Sequence, residues 1–139
     1  MNDDASRMLS SSATDFSHAA ILIVEDDDDI GHLLVQALED EFSCKVLLVT
    51  DGLQALNVVE NLIPDLFLLD YLLPSINGLE LYRRLQGQEV LASVPKILMS
   101  AHLPQLADES ILTLKKPFDL DDFFSMVRHV LTAPSDTAQ

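Results

Sequence analysis

The chain has 139 residues, of which 48% are hydrophobic, and this size and composition suit one domain with a single core. Its 8 Lys and Arg against 23 Asp and Glu give a net charge of −15, which repels nucleic-acid backbones and anionic membranes. No apolar run reaches the roughly 18 residues of a membrane span, and the N-terminus lacks the pattern of a secretory signal. We therefore expect a cytoplasmic domain that binds neither nucleic acid nor membrane.

Apolar runs of strand length alternate with stretches of helical period, which is the pattern of a βαβ series. The five predicted strands cover residues 20–24, 45–49, 65–69, 96–99 and 111–114. The first of them, AILIV, is aliphatic throughout, as expected for a central strand of a parallel sheet. Residues 1–19 and 134–139 are rich in Ser, Thr, Ala and Asp and are predicted to be disordered tails, which leaves 20–133 as the domain.

Helices are predicted after each of the first three strands and at the end of the domain. The first begins where Asp28 or Asp29 can cap its amides and ends near Glu41. The second follows a turn at 50–52, and the third lies around 79–85 after a loop with four turn-forming residues. Helical spacing predicts the apolar faces of the first, second and last helices: Ile30, Leu33, Leu34, Ala37 and Leu38; Leu53, Leu56 and Val59; Leu120, Phe123, Phe124, Val127, Val130 and Leu131.

Polar residues stand at the carboxyl ends of four predicted strands. Glu25 and Asp26 follow the first strand, Asp70 the third, Ser100 the fourth and Lys116 the fifth. Ligands of doubly wound parallel sheets bind at this edge. Clustered carboxylates repel one another unless they are protonated or bridged by a cation, for which Mg²⁺ is the natural candidate. An amine and a hydroxyl in the same crevice suit the oxygens of a phosphoryl group.

Other candidate residues are interpreted as ordinary parts of a folded domain. Asp28 and Asp29 are favourable charges at a helix N-terminus, and Asp27 is expected at the rim of the crevice without binding metal. Cys44, the single cysteine, is expected to be a small buried core residue. The histidines lack the clustered spacing of a metal site: His18, His32, His102 and His129.

With these motifs the chain resembles the receiver domains of two-component response regulators, from about Ala20 to Leu131. The stretch ILIVEDDDDI resembles the family's first strand and acidic pair, and PDLFLLDYLLPSINGLEL its phosphoacceptor strand and following loop. ILMSA and KKPF resemble its fourth strand and its lysine-proline motif. The resemblance implies a flavodoxin-like α/β fold: a doubly wound, five-stranded parallel sheet in the order 2-1-3-4-5, with helices on both faces.

The resemblance also implies a role for each pocket residue. Asp70 would take a phosphoryl group from a phosphohistidine on a histidine kinase or a histidine phosphotransfer protein. Mg²⁺ would be held by Asp26 directly, by Glu25, by Asp70 and by the carbonyl of Leu72. Ser100 and Lys116 would bind phosphoryl oxygens, and a cis peptide bond would join Lys116 to Pro117. Such a domain catalyses its own phosphoryl transfer and slow dephosphorylation, but acts mainly as a switch on a downstream protein.

Two departures from the family pattern concern the output. Thr113 stands where the family has an aromatic switch residue. Only sixteen steps separate Ser100 from Lys116, so the fourth helix of the series is expected to be short or missing, with Pro104 starting at most a single turn. The face that many relatives use to dimerise would then be remodelled, and the 101–110 segment would order on phosphorylation. Leu72 and His102 are expected to lie near the path of attacking water and to tune the lifetime of the phosphoryl group.

Three functional classes remain open. The first is a stand-alone phosphoacceptor, because no effector domain follows Leu131. The second is a pseudo-receiver, an interaction module that works without phosphorylation, although the intact Asp26, Asp70, Ser100 and Lys116 argue against it. The third is a phosphohydrolase with an aspartate nucleophile, which would need a second aspartate where Leu72 stands.

Overall fold

The computed structural model describes residues 15–101 and 111–133. Its strands are β1 (Ala20–Val24), β2 (Lys45–Val49), β3 (Leu66–Asp70), β4 (Lys96–Ser100) and β5 (Leu112–Lys115). The helices in these residues are α1 (Asp28–Phe42), α2 (Gly52–Val58), α3 (Gly78–Gln86), α4 (Glu89–Ala92) and α5 (Leu120–Thr132). The predicted bounds of β1 and β2 are confirmed residue for residue, β4 ends one residue later than predicted, and β3 and β5 are each shifted by one residue.

The strands form one five-stranded parallel sheet in the order β2-β1-β3-β4-β5, which confirms the predicted fold class. Val24 lies beside both Val49 and Leu69, and Ser100 lies beside Lys115. The carboxyl ends of the strands are therefore level with one another. This register brings the residues that follow the strands to a single edge.

The core consists of two layers, because successive side chains of a strand point to opposite faces of the sheet. On one face Ile21 and Leu68 pack with the buried sides of α1 and α5. On the other face Leu22 and Phe67 pack with Ala55 of α2 and with α3. Full burial of each such aliphatic or aromatic side chain stabilises the fold by about 1.5–3 kcal/mol. Helices thus cover both faces, as predicted.

The predicted apolar face of α1 is wrong in part. Ile30 and Leu33 are 37% and 58% exposed, whereas Gly31 is buried together with Leu34, Leu38 and Phe42. Gly31 faces Leu48 so closely that a β-carbon there would lie 2.8 Å from its side chain. A glycine has no weight in an apolar pattern, so the sequence did not indicate this rotation of the helix.

The buried sides of α2 and α5 also differ from the prediction. Leu53 of α2 is 47% exposed while Ala55 is buried, and Leu120 at the start of α5 is 39% exposed. Ala55 is too small to stand out in a hydrophobic pattern. Both exposed leucines lie in the first turn of their helix, where the chain has just left the edge of the sheet.

The N-cap of α1 is Asp27, rather than Asp28 or Asp29. Its carboxylate accepts a hydrogen bond of 3.1 Å from the backbone N–H of Ile30. Asp51 and Asn77 cap α2 and α3 in the same way. A cap of this kind contributes about 1 kcal/mol, so Asp27 has a structural role at the start of α1.

The predicted tails and the predicted short helix between β4 and β5 lie only partly within the described residues. Described residues begin ahead of β1, and the ring of Phe16 packs edge-on against Phe42 at 5.2 Å between centroids. Ordered chain thus includes part of the predicted tail, while residues 1–14 and 134–139 lie outside the described residues. Only residues 101–111 connect β4 to β5. This length agrees with the prediction that the helix between these two strands is short or missing. Residues 102–110 lie outside the described residues, and so do the predictions for His102 and Pro104.

The aromatic side chains link Phe16 to the far side of the α1 and α5 layer. Successive ring pairs lie 5.2 to 5.9 Å apart, which is the usual range for favourable aromatic contacts. We call this row of rings the phenylalanine chain: Phe16, Phe42, Phe124, Phe123 and Phe118. Its last member stands two residues after Lys116.

Lys96 is a buried ammonium for which the sequence predicts no role. It is 4% exposed, and its Nζ donates hydrogen bonds of 2.7 Å to the carbonyl oxygens of Leu91 and Val94 and another to the side chain of Gln86. It also lies over the ring of Phe67 at 5.6 Å. Lys96 therefore joins the end of α3 and the short α4 to the start of β4.

We expect Lys96→Met to lower the free energy of unfolding by about 2 kcal/mol, because three charge-assisted hydrogen bonds are lost. Burial lowers the pKa of Lys96 to about 8 from its usual 10.5. Between these values the unfolded chain holds the proton and the folded protein does not, so wild-type stability rises with pH across this window. Urea unfolding should show this rise in the wild type and in Lys45→Met, an exposed control, but not in Lys96→Met. An equal rise in Lys96→Met would contradict the assignment.

Among the described helices, none combines the length and the apolar character needed to cross a membrane.

Candidate functional site

The candidate site lies at the carboxyl edge of the sheet, where backbone pairing holds each polar residue. The N–H of Glu25 donates to Val49 at 3.0 Å, and the N–H of Lys116 donates to Ser100 at 2.9 Å. Asp70 and Ser100 are themselves the last residues of β3 and β4. Glu25, Asp70 and Ser100 are buried, with 1%, 6% and 2% exposure. The predicted residues are thus brought together on rigid strand ends.

Three carboxylates form the acidic part of the site. One oxygen from each of Glu25, Asp26 and Asp70 lies within 4.8 Å of the other two. Two of these residues are buried, whereas Asp26 is exposed and leaves the cluster open to solvent. Oxygen ligands around such a gap fit a hard divalent cation such as Mg²⁺, which keeps part of its water shell.

Lys116 supplies the positive charge of the site. Its Nζ donates to Asp70 Oδ1 at 2.9 Å and to Glu25 Oε1 at 3.2 Å. Burial alone would lower the pKa of Lys116, but the hydrogen bond to Asp70 and the charges of Asp70 and Glu25 outweigh it and raise the pKa. Lys116 is therefore an ammonium at neutral pH. One ammonium among three carboxylates leaves the site with an excess of negative charge.

The ionised form of Glu25 is disfavoured in this site. Burial, followed by the neighbouring charge of Asp70, raises the pKa of its carboxyl group. The backbone N–H of Asp27, at 3.2 Å from Oε2, and the ammonium of Lys116 oppose that effect. A cation beside the three carboxylates would lower the pKa of Glu25 and favour its ionised form.

Two predictions from the sequence concern Lys116, namely that it is the lysine of the site and that a cis peptide bond follows it. Lys116 reaches the carboxylates, whereas Lys115 is exposed at the end of β5. The peptide bond between Lys116 and Pro117 is cis. Thr113, which stands in place of the family's aromatic residue, is half-buried on β5 beside Leu98.

The loop from β3 to α3 follows directly after Asp70. The Ile76 N–H donates to the Pro74 carbonyl at 2.8 Å, and Ser75 between them has a φ of 71°. A three-residue turn with positive φ is strained for a residue other than glycine. In the same loop Leu72 is 69% exposed. Its carbonyl remains the predicted fourth protein ligand of the metal, and its side chain faces solvent.

This geometry defines a class of protein: a parallel α/β domain with a buried aspartate, a cluster of three carboxylates and a lysine at one sheet edge. The family model of the response regulator receiver domain matches residues 21–128. The chain belongs to this family.

Relatives of the chain are response regulators, and several are named as DNA-binding. The DNA-binding response regulator MtrA of Mycobacterium tuberculosis is 33% identical over 125 residues, which cover 84% of this chain and 52% of the relative. Response regulator ArlR of Staphylococcus aureus is 34% identical over 120 residues, with coverages of 80% and 52%. The chain thus spans about half the length of the curated relatives it matches.

Solved structures support the same family. The receiver domain of a Pseudomonas aeruginosa sensor histidine kinase, with a magnesium ion coordinated in its active-site cleft, is 27% identical with a TM-score of 0.71. The match covers 84% of this chain and 99% of that one. A chemotaxis response regulator of Vibrio cholerae has a TM-score of 0.75 at 20% identity, covers 81% and 98% of the two chains, and shows the fold alone. Receiver domains bind Mg²⁺ in the acidic site, and the carboxylates here fit that ion.

Proposed function

We propose that Asp70 accepts a phosphoryl group from a phosphohistidine on a histidine kinase or histidine phosphotransfer protein, and that the domain then signals to a downstream protein. The observation that carries this proposal is the position of the Asp70 carboxylate. It is 6% exposed, lies 2.9 Å from the Lys116 ammonium, and shares a cation-sized cluster with Glu25 and Asp26. A phosphoacceptor requires such a fixed nucleophile beside charges that can receive phosphoryl oxygens.

In the proposed reaction a carboxylate oxygen of Asp70 attacks phosphorus while the bond between phosphorus and the donor's imidazole nitrogen breaks. The electron pair of that bond stays on the imidazole. Lys116 moves its hydrogen bond from Asp70 to a phosphoryl oxygen, and the hydroxyl of Ser100 donates to another. Bound Mg²⁺, held by Glu25, Asp26, Asp70 and the carbonyl of Leu72, would neutralise negative charge on the phosphoryl oxygens.

Leu72 is proposed to slow the return reaction. Leu72 follows Asp70 by two residues, and its side chain is 69% exposed. An aliphatic side chain offers no hydrogen bond to orient an attacking water molecule, and its bulk hinders access. The proposed product is therefore a slowly hydrolysed aspartyl phosphate, consistent with a switch.

Proposed partners of the domain are proteins. The chain carries a net charge of −15, which disfavours contact with nucleic acid even though curated relatives are named as DNA-binding. The proposal covers residues 20–133 as a receiver that acts on a separate downstream protein in the cytoplasm. A phosphorylation-independent interaction module is the second candidate, favoured by Thr113 and by the short connection from β4 to β5.

Intact mass after incubation with a small phosphodonor tests the proposal directly. We expect a gain of one phosphoryl group that requires Mg²⁺ and disappears in Asp70→Asn, because the nucleophilic oxygen is lost. Glu60→Gln, which removes an exposed carboxylate elsewhere, should behave like the wild type. No gain by folded wild-type protein under any condition would favour the interaction module instead.

A further inference from the structure

Gly78, the first residue of α3, lies against the backbone of Asp70. A β-carbon at Gly78 would overlap the carbonyl oxygen of Asp70 and would lie 2.9 Å from its carbonyl carbon. It would also lie 2.9 Å from Leu98 Cδ1. Because no described glycine has a positive φ, the requirement for glycine at this position comes from space and not from backbone conformation.

Gly78 also forms a hydrogen bond with the peptide group after that of Asp70, just beyond the end of β3. Its N–H donates a hydrogen bond of 2.8 Å to the carbonyl oxygen of Tyr71. One residue thus contacts the carbonyls of both Asp70 and Tyr71, the two peptide groups that lead from the phosphoacceptor to Leu72. These two groups determine the direction in which the chain leaves β3.

We propose that Gly78 is a positioning residue for phosphoryl transfer. Its missing side chain lets α3 begin directly against the Asp70 carbonyl, and this contact fixes the Asp70 carboxylate and the Leu72 carbonyl relative to Glu25 and Lys116. The inference rests on the proposed function of Asp70. Its physical basis is that a displacement of about 1 Å at a reacting group can slow a reaction about 100-fold.

Other glycines show why the contact at Gly78 differs from ordinary packing. Added β-carbons at Gly31 and Gly52 would lie closest to side-chain atoms of Leu48 and Ile76. The nearest atoms at Gly87 are 3.5 and 3.6 Å away, which is normal contact. At Gly78 the nearest atoms belong to the main chain of the proposed nucleophile, and β3 holds that main chain in the centre of the sheet.

The test compares Gly78→Ala with Gly87→Ala, a control just beyond the other end of α3. Phosphorylation by a small phosphodonor is followed by intact mass, and Mg²⁺ binding by calorimetry in the absence of the donor. In Gly78→Ala we expect the second-order rate constant of phosphorylation to fall about 100-fold. The dissociation constant for Mg²⁺ should rise about tenfold, as for residues that orient metal ligands. Gly87→Ala should match the wild type in both measurements.

Two further variants separate positioning from a general loss of stability. Asn77→Ala removes the cap of α3 but leaves the Gly78 contact, so the folded protein should retain wild-type Mg²⁺ binding. Leu98→Val shortens the side chain that lies nearest to an added β-carbon at residue 78. The double variant Gly78→Ala, Leu98→Val also serves if the single variant does not fold. The double variant should keep both defects. Recovery of both values there, or wild-type values in folded Gly78→Ala, would overturn the proposal.

The same measurements distinguish failure of this inference from failure of the proposed function. Wild-type protein that binds Mg²⁺ but gains no phosphoryl group would count against Asp70 as the phosphoacceptor. In that case the Mg²⁺ dissociation constants still decide whether Gly78 positions the residues from Asp70 to Leu72. Equal constants in the wild type and Gly78→Ala would refute the positioning role in either case.

Discussion

Lys116→Met is expected to slow phosphorylation of Asp70 by about 100-fold to 1,000-fold, because the variant lacks the charge that would receive a phosphoryl oxygen. The wild-type ammonium already lies 2.9 Å from Asp70 Oδ1. Rates measured by intact mass at saturating Mg²⁺ would show the loss. Lys115→Met removes the neighbouring exposed charge and should phosphorylate at close to the wild-type rate. Equal losses in the two variants would refute the assignment of Lys116.

The same variant should change how stability depends on pH. Burial and the charge of Asp70 raise the pKa of Glu25, and the ammonium of Lys116 restrains that rise. Without the ammonium the folded-state pKa of Glu25 increases further. A raised carboxyl pKa contributes stability that is complete below the ordinary value of 4.5 and is lost as the pH rises through the folded value. In Mg²⁺-free buffer, the free energy of unfolding should therefore fall more steeply towards neutral pH in Lys116→Met than in the wild type.

Asp26→Asn is expected to weaken Mg²⁺ binding by at least about tenfold. Asp26 is the exposed member of the carboxylate cluster and the predicted direct ligand, and an amide oxygen offers the ion no negative charge. Wild-type protein with Mg²⁺ at 100 times its dissociation constant should gain about 2.7 kcal/mol of stability. At the same Mg²⁺ concentration a variant that binds the ion tenfold more weakly should gain about 1.4 kcal/mol, which is half of the wild-type gain.

Thermal unfolding with and without Mg²⁺, followed by removal of the ion with a chelator, measures this effect. The matched control is Asp29→Asn, which removes the same charge from the same acidic run but lies outside the carboxylate cluster. It should keep the full gain from Mg²⁺. A gain in Asp26→Asn as large as in the wild type would mean that Asp26 is not a ligand.

The fold was predictable because its signals are local and strong. The runs AILIV and VLLV are aliphatic and are followed directly by Glu25 and Thr50, so the ends of both strands could be read from the sequence. Parallel order then placed the strand ends together, and the approach of Lys116 to Glu25 and Asp70 followed from topology. The site was thus inferred from residues that are distant in sequence and adjacent at one sheet edge.

What the sequence did not indicate depends on contacts without a local signal. The sequence offered Asp28 or Asp29 as the α1 cap, and only the point where the chain turns into the helix selects Asp27 instead. Lys96 is the first residue of β4, and its hydrogen bonds to the Leu91 and Val94 carbonyls are contacts that the sequence does not indicate. Gly78 appeared to be an ordinary turn residue, because the approach of the Asp70 carbonyl is a tertiary contact.

The phenylalanine chain has a consequence for where the minimal folding unit begins. Phe16 stands ahead of β1, yet its ring covers Phe42, which is only 6% exposed and also supports the ring of Phe124. A truncated protein starting at Ala20 would retain every strand and helix of the described residues but would uncover part of the α1 and α5 layer. The autonomous unit is therefore longer than its secondary structure, and it includes the residues that lead into the first strand.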